Sequence, residues 1–309
     1  MRIVFVMDPV SSVLVDEDTS FALMLAAQER GHRVDHCLVR DVALDGSRVR
    51  ATVRRARMQR DTERAIALDA PEDVALDAVD VVFVRKDPPF DDEYLWLSLL
   101  LEHLRGRTRV VNDPRGLREA NEKLYACHFP ELMPRTLVAS SKARIKVFLD
   151  DVGGRAVIKP VDGHGGVGVF ALIAGDNNLN ALIESVTRDG SRVAMVQELI
   201  PEVTAGDKRI LLLDGEPLGA ILRVPRGDWR SNIHVGGRVV QAEITDADRR
   251  IVESVAPRLR ADGLAFVGLD VIGGKLTEVN VTSPTGIQQM TRFDGVDYPG
   301  RVIAWLESS

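Results

Sequence analysis

The chain opens on an unbroken apolar run, Ile3 to Met7, that stops at Asp8-Pro9. A short apolar run without alternation predicts a strand buried on both faces. Asp18 then stands as an N-cap before a helix carried by Phe21, Leu23, Met24 and Leu25 to Arg30, where Gly31 stops it. A second strand is expected over 32–38 and, after a polar insertion, a third over 78–84 that closes on Arg85-Lys86-Asp87. A helix around 91–104 and a short strand over Arg109–Val111 complete the pattern. Strand–helix alternation of this kind predicts a parallel sheet with helices on its faces. Such sheets bind ligands at the C-terminal ends of their strands, here at Asp8 and at Arg85 to Asp87.

Beyond Asn112 the pattern changes. Residues 112–116 read as a turn and Leu117 to Phe129 as a helix, with Pro130 and Pro134 marking a boundary. From there β-rich hairpins are expected to dominate, over 156–159, 167–173, 193–197, 208–213 and 217–224, followed by one more hairpin over 267–285. No internal repeat or low-complexity segment interrupts them.

That last hairpin carries candidate chemistry. Glu278 and Asn280 stand two apart among β-formers, so their side chains share a face. Asp270 lies on the preceding strand, and the connection decides whether it joins them. A two-residue turn at Gly273-Gly274 sets it across from Thr277; a three-residue loop with a bulge, Gly273 to Lys275, sets it opposite Glu278. The second register is expected, because hard oxygen ligands on one face make a Mg²⁺ site. The competing reading is an ordinary amphipathic hairpin with a wet outer face.

Gly163-His164-Gly165-Gly166-Val167-Gly168 has the spacing of a dinucleotide fingerprint, but a strand-like run follows where that fingerprint needs a helix. No Gly-Lys-Ser/Thr closes it as a phosphate loop. What remains is a glycine hairpin able to fold its backbone N–H groups over phosphates. Lys159 closes the apolar strand before it, where its ammonium must be wet or paired, and a phosphate would be a suitable partner. A plain turn and a snorkelling lysine remain the bland alternatives.

Composition narrows the classes of function. A net charge of −6 gives no reason to expect nucleic acid or an anionic membrane. The arginine-rich run from Arg48 to Arg64 reads as a solvated face or mobile loop. Two distant cysteines, Cys37 and Cys127, and no long apolar segment point to a soluble cytoplasmic protein. The histidines offer at most His32 and His36 as a close pair, weak as metal ligands. Neither a Gly-x-Ser-x-Gly elbow nor a His-Glu-x-x-His motif is present.

Several pieces together resemble a known family: Asn121-Glu122-Lys123-Leu124, Val157-Ile158-Lys159-Pro160 with the glycine run, Gly206-Asp207-Lys208-Arg209, and Asp270 with Thr277-Glu278-Val279-Asn280-Val281-Thr282-Ser283-Pro284-Thr285. They are similar to the ATP-grasp ligases, and more narrowly to the bacterial glutathione synthetases. Met7-Asp8-Pro9, Asp18-Thr19-Ser20-Phe21 and Arg85-Lys86-Asp87-Pro88-Pro89 extend the likeness over nearly the whole chain. The resemblance implies an α/β, ATP-grasp fold: an N-terminal parallel-sheet α/β substrate domain over 1–120, a small lid with the glycine loop over 121–200, and a larger C-terminal β-rich domain with the metal hairpin over 201–309.

It also implies roles. Lys123, Lys159, Gly163, His164, Gly165, Gly166 and Val167 would hold ATP phosphates, Gln197, Glu198 and Leu199 would meet the adenine, and Asp207 the ribose. Arg209, Lys159 and Arg223 would carry catalysis, with Arg209 near the phosphates. Asp270, Glu278 and Asn280 would ligate Mg²⁺ (or Mn²⁺). Arg85, Asn280, Ser283, Pro284 and Thr285 would meet the peptide substrate, and 224–238 would be a mobile loop over the site. The implied reaction joins γ-glutamylcysteine to glycine with ATP as co-substrate, through an acyl phosphate, in a homo-oligomer that is a dimer or tetramer. Two departures stand out. Gly286-Ile287-Gln288-Gln289 occupies the place of a charged Arg-Glu pair in many relatives, near the amine acceptor, and Asp228-Trp229 makes the loop less glycine-rich than expected. Another acceptor, or a non-catalytic ATP-binding module, is the alternative reading.

Overall fold

The computed structural model describes residues 1–61, 64–225 and 238–308. The first sheet is built on β1 (Arg2–Met7), β2 (Arg33–Cys37), β3 (Val42–Asp45), β4 (Arg48–Met58), β5 (Ile66–Ala75), β6 (Val81–Arg85) and β7 (Arg109–Val111). Its spatial order is β3-β4-β2-β1-β6-β7, with β5 added to β4. The strands β2, β1, β6 and β7 run parallel. Buried on both faces, β1 and β6 are the near-continuous apolar runs that such strands require. α1 (Thr19–Glu29) starts where Asp18 accepts a hydrogen bond from the Phe21 N–H, and α2 (Asp92–Glu102) starts likewise at Asp91.

Two readings of this half are corrected, one of them in part. Over Arg48–Met58 the arginine-rich run is strand β4, so of its two readings the solvated face holds and the mobile loop does not. Val49, Ala51 and Val53 alternate into the core while Arg48, Arg50 and Arg57 face acids on the neighbouring turn and strand, Asp77, Asp73 and Asp69. The alternation was present in the sequence, and the charge density masked it. Nor is 117–129 one helix. α3 (Pro114–Glu119) begins earlier, capped by Asp113 with Pro114 in its first turn. It breaks because Asn121 Oδ1 accepts the N–H groups of Lys123 and Leu124, a local turn that competes with helix. A short 3₁₀ turn, Tyr125–His128, follows.

The second sheet is antiparallel, with β8 (Thr136–Ala139), β9 (Arg155–Pro160), β10 (Phe170–Ile173) and β11 (Ala194–Glu198) in the order β10-β9-β11-β8. Helices α4 (Lys142–Asp151) and α5 (Leu179–Thr187) cover it around a core of its own that includes Ile145, Leu149, Ile158, Leu172 and Ile183. The third sheet orders β12 (Asp207–Leu213), β13 (Glu216–Val224), β14 (Arg238–Gln241), β15 (Phe266–Ile272) and β16 (Lys275–Asn280) as β14-β13-β12-β15-β16. α6 (Asp246–Ala261), α7 (Ile287–Asp294) and α8 (Tyr298–Glu307) complete the chain. The C-terminal half therefore holds more helix than its hairpins suggested. α6 announces itself by a capping box between Thr245 and Asp248.

Beside the apolar packing of Phe5 and Phe83 with Leu211 and Phe266, one buried polar side chain bridges the first and third sheets. Asn112, at the end of β7, donates to the carbonyls of Phe266 (2.9 Å) and Val281 (2.8 Å) and accepts from the Phe266 N–H (2.8 Å). Asn112→Leu orphans these backbone groups and should cost on the order of 3 kcal/mol in denaturant unfolding. An unchanged midpoint would refute the joint.

Candidate active site

The C-terminal hairpin brings Asp270 opposite Glu278, as expected, but by a different route. Its turn is the two-residue Gly273-Gly274, both at positive φ, which favours glycine. The extra residue is Thr277 in β16, where a bulge shifts the register between Asp270 and Val271. Thr277 is turned inward, its hydroxyl donating to the Asp270 carbonyl at 3.1 Å. Glu278 and Asn280 then share one face. Glu122 fixes the end of β16, accepting from the N–H groups of Val281 (3.0 Å) and Thr282 (3.2 Å) and from the Thr282 hydroxyl (2.7 Å).

Cations converge on the two carboxylates. Lys159, at the end of β9, lies 3.5 Å from Glu278, and Lys123 lies 3.6 Å from the same oxygen. The Asn121 turn that ends α3 is what carries Lys123 there, and its ammonium also donates to the Gly163 carbonyl. Arg209 on β12 grips Asp270 with two nitrogens, and Arg223 on β13 spans Asp270 (2.9 Å) and Asp207 (2.5 Å). All seven side chains are at least three-quarters buried.

Burial alone would hinder ionisation of Asp270, but Arg209 and Arg223 outweigh it and hold the carboxyl well below its usual range. At Glu278 burial is likewise overcome, by Lys123 and Lys159. Burial lowers the Lys159 ammonium, with Glu278 opposing. Asp207 is raised by burial although Arg223 and Arg209 favour its charge. Four cations against two firmly ionised carboxylates leave a positive wall, suited to a polyanion.

The cleft has two lobes. One is lined by Lys123, Lys159, the glycine run 163–167, Gln197, Glu198, Leu199 and Asp207, with Pro134, Val157, Ile200, Val203 and Ile272 as its apolar surface. The other holds Arg85, Arg209, Arg223, Asn280, Ser283, Pro284 and Thr285, with Asp18, Thr19, Glu122 and Gln289. Lys123, Gly163 to Gly165, Val167, Asp270 and Glu278 line both. The structure thus brings the sequence-selected residues around one cleft. Thr19 and Glu122 lay inside the family-like pieces but were given no role, and the apolar surface was not singled out, since nothing separates it in sequence from core residues.

The glycine run forms no regular element between β9 and β10, and β10 starts at Phe170, later than the expected 167. Three of its glycines adopt positive φ. Arg85 donates to the Ser20 hydroxyl (3.0 Å) and the Pro284 carbonyl (3.1 Å), tying β6 to the loop after β16. Gln197 Nε2 donates to Thr136 Oγ1, and Asn280 Nδ2 to the Gly268 carbonyl. His32 and His36 do not meet: His32 contacts Glu307 and His36 the Asp8 carbonyl. Of the expected mobile loop, 226–237 lies outside the described residues.

Two antiparallel sheets facing each other across a lysine- and carboxylate-lined cleft, behind a parallel-sheet domain, define the ATP-grasp fold. Solved structures agree. D-cycloserine synthetase superposes with a TM-score of 0.68 at 17% identity, covering 98% of this chain and 99% of that one. A RimK domain ATP-grasp protein of Sphaerobacter thermophilus gives 0.63 at 16%, covering 99% of each. Residues 1–118 match the prokaryotic glutathione synthetase N-terminal domain and 122–295 the prokaryotic glutathione synthetase ATP-grasp domain. The chain belongs to the prokaryotic glutathione synthetase family. It is 47% identical to glutathione synthetase of Gloeobacter violaceus over 313 residues, 99% of this chain and 96% of that protein. It is 40% identical to that of Shewanella oneidensis over 311 residues, 100% and 98% respectively.

Proposed function

We propose that this chain is an ATP-dependent ligase that makes glutathione from γ-glutamylcysteine and glycine. The observation that carries the reading is the meeting of the two lobes at Lys123, Asp270 and Glu278. A nucleotide in one lobe and a carboxylate in the other would come together there. A carboxylate is a poor electrophile toward an amine at neutral pH. Transfer of the ATP γ-phosphoryl group to the cysteinyl carboxylate gives an acyl phosphate and ADP. The neutral glycine amine attacks its carbonyl, the tetrahedral intermediate expels phosphate, and the amine loses its proton. Lys123 and Lys159 hold and neutralise the phosphates, the glycine run covers them, and Arg209 and Arg223 stabilise charge at the transfer point. Pro134, Val157 and Ile272 offer apolar faces to the adenine beside Gln197, Glu198 and Leu199, and Asp207 takes the ribose. On this reading 1–120, 121–200 and 201–309 act as substrate domain, lid and metal-bearing domain.

The donor set fits a Mg²⁺ ion. Mg²⁺ takes one or two protein carboxylates and completes its shell with water and substrate phosphates. Asp270 and Glu278 stand opposite each other with Asn280 on the same face. Among the described residues no cluster of three or more His, Cys, Asp or Glu side chains offers a self-sufficient cage. When bound, the ion neutralises phosphoryl oxygens. Removing divalent cations should abolish phosphate release, and Mg²⁺ or Mn²⁺ should restore it; turnover in excess chelator would contradict the assignment.

Among the described residues no helix is long and apolar enough to cross a membrane. The two cysteines are unbridged, which suits a reducing cytoplasm. Trapping tests the reaction type: with MgATP, γ-glutamylcysteine and hydroxylamine but no glycine, the protein should yield a hydroxamate. ATP binding with no hydroxamate and no phosphate release would favour a binding module instead.

A further inference from the structure

α1 and α2 are both apolar around most of their circumference, yet only α1 is covered. Every position of α1 from Thr19 to Ala27 is buried, with α7 and α8 packed against the helix. α2 turns Tyr94, Leu97, Ser98 and Leu101 inward and rests on α3, β3 and the turn Val39–Asp41. Its outer side is apolar as well. Trp96 and Leu99 remain 58% and 38% exposed, with the half-buried Leu95 and Leu100 on either side of them. Leu44, on the adjoining β3, is 37% exposed and broadens the patch. A helix that is apolar all round belongs in a position covered on all sides. Among the described residues nothing supplies that cover over Trp96.

The charges around the patch say what covers it. With three to four residues per turn, Asp92, Trp96, Leu99 and His103 fall along one outer line of the helix. That line starts on exposed acids, Asp92 and Glu93, is apolar in its middle, and ends on exposed His103 and Arg105. Such a stripe is complementary to itself when reversed. A second α2 laid antiparallel, about a twofold axis between Trp96 and Leu99, sets Trp96 on the partner's Leu99 and Asp92 on the partner's His103. Arg105, itself tied to Asp113 at 3.2 Å, adds positive charge beside that pair. The two helix dipoles then oppose each other, whereas a parallel pairing would set like charge on like. We propose that the outer face of α2, with Leu44 beside it, is a twofold interface with a second copy of this chain. One patch meeting itself is the isologous contact that twofold symmetry requires. A helix of this length spans about 16 Å, short of a standard interface, so the contact is one that dilution breaks.

The test needs no substrate and so stands apart from the reaction. Sedimentation equilibrium of the full chain over a micromolar dilution series should show a species of twice the chain mass that dissociates on dilution; a further interface elsewhere would make it four times. Trp96→Lys should raise the dissociation constant of this contact by about 30-fold or more, the effect of losing a central aromatic anchor, and so halve the mass of the assembly. Its circular dichroism should match the parent's, since Trp96 faces outward. Asp92→Arg and His103→Glu should each weaken association by about fivefold or more, and the two together should restore it. Along one helix those positions lie about 16 Å apart, too far to pair, so mutual rescue reports the antiparallel contact between copies. A parent that is monomeric throughout, as it would be if another protein or only water met this face, would overturn the proposal. So would an assembly that Trp96→Lys leaves intact, or charge reversals that fail to rescue each other.

Discussion

Lys159→Ala is expected to lower kcat by ~10²–10³-fold, the usual effect of removing one charge-stabilising donor from a phosphoryl-transfer or oxyanion site. The lysine stands near the end of a strand that buries Ala156 and Ile158, so it is held in place by the β9–β11 pairing rather than by a flexible loop. It leans on Glu278 at 3.5 Å and shares that oxygen with Lys123. Removing it therefore leaves Glu278 one cation, so the fold should persist while transferred phosphoryl oxygens lose a partner. Steady-state kinetics with ATP varied, alongside a thermal melt, separates these effects. Near-normal kcat in a folded variant would refute the phosphate role.

Asp270→Asn should be the more damaging change to the protein itself. Asp270 is the hub of the buried cluster, accepting from both Arg209 and Arg223. Its neutral isostere removes the carboxylate that both buried guanidinium groups share, leaving Asp207, and Glu278 for Arg223, to oppose them, and breaking a buried pair in this way costs about 3–5 kcal/mol. The same substitution removes one of the two carboxylates assigned to Mg²⁺, so activity should fall by at least ~10²-fold. Denaturant unfolding without nucleotide reads the first effect and phosphate release the second. A variant as stable as its parent would show that the cluster is not a structural joint.

The parts of the fold that were legible in the sequence are those where one local signal decides the outcome. Unbroken apolar runs gave β1 and β6, and the Asp18 cap placed α1 within a residue. Where two signals compete, the reading missed. In β4 the arginines hid a two-residue alternation, because a strand that pairs its charges across to Asp69 and Asp73 looks like a solvated run until the partner strand is known. The 117–129 helix failed because one side-chain amide, Asn121, recaptured two backbone donors. At the site, the opposition of Asp270 and Glu278 was reached by pairing oxygen ligands on a face, yet the turn and the bulge were exchanged. Either arrangement adds one residue to the hairpin, and sequence does not say where the ladder absorbs it. The buried arginine links from Arg209 and Arg223 to the aspartates join three strands, and no local pattern announces such contacts.

The most direct test of the central claim is phosphate release by the purified protein with MgATP and γ-glutamylcysteine, with and without glycine, with the product read by mass spectrometry. Release that depends on glycine, together with a product of glutathione mass, is the predicted result. Release that ignores glycine but responds to another amine, or ATP binding with no turnover on any donor, would contradict it.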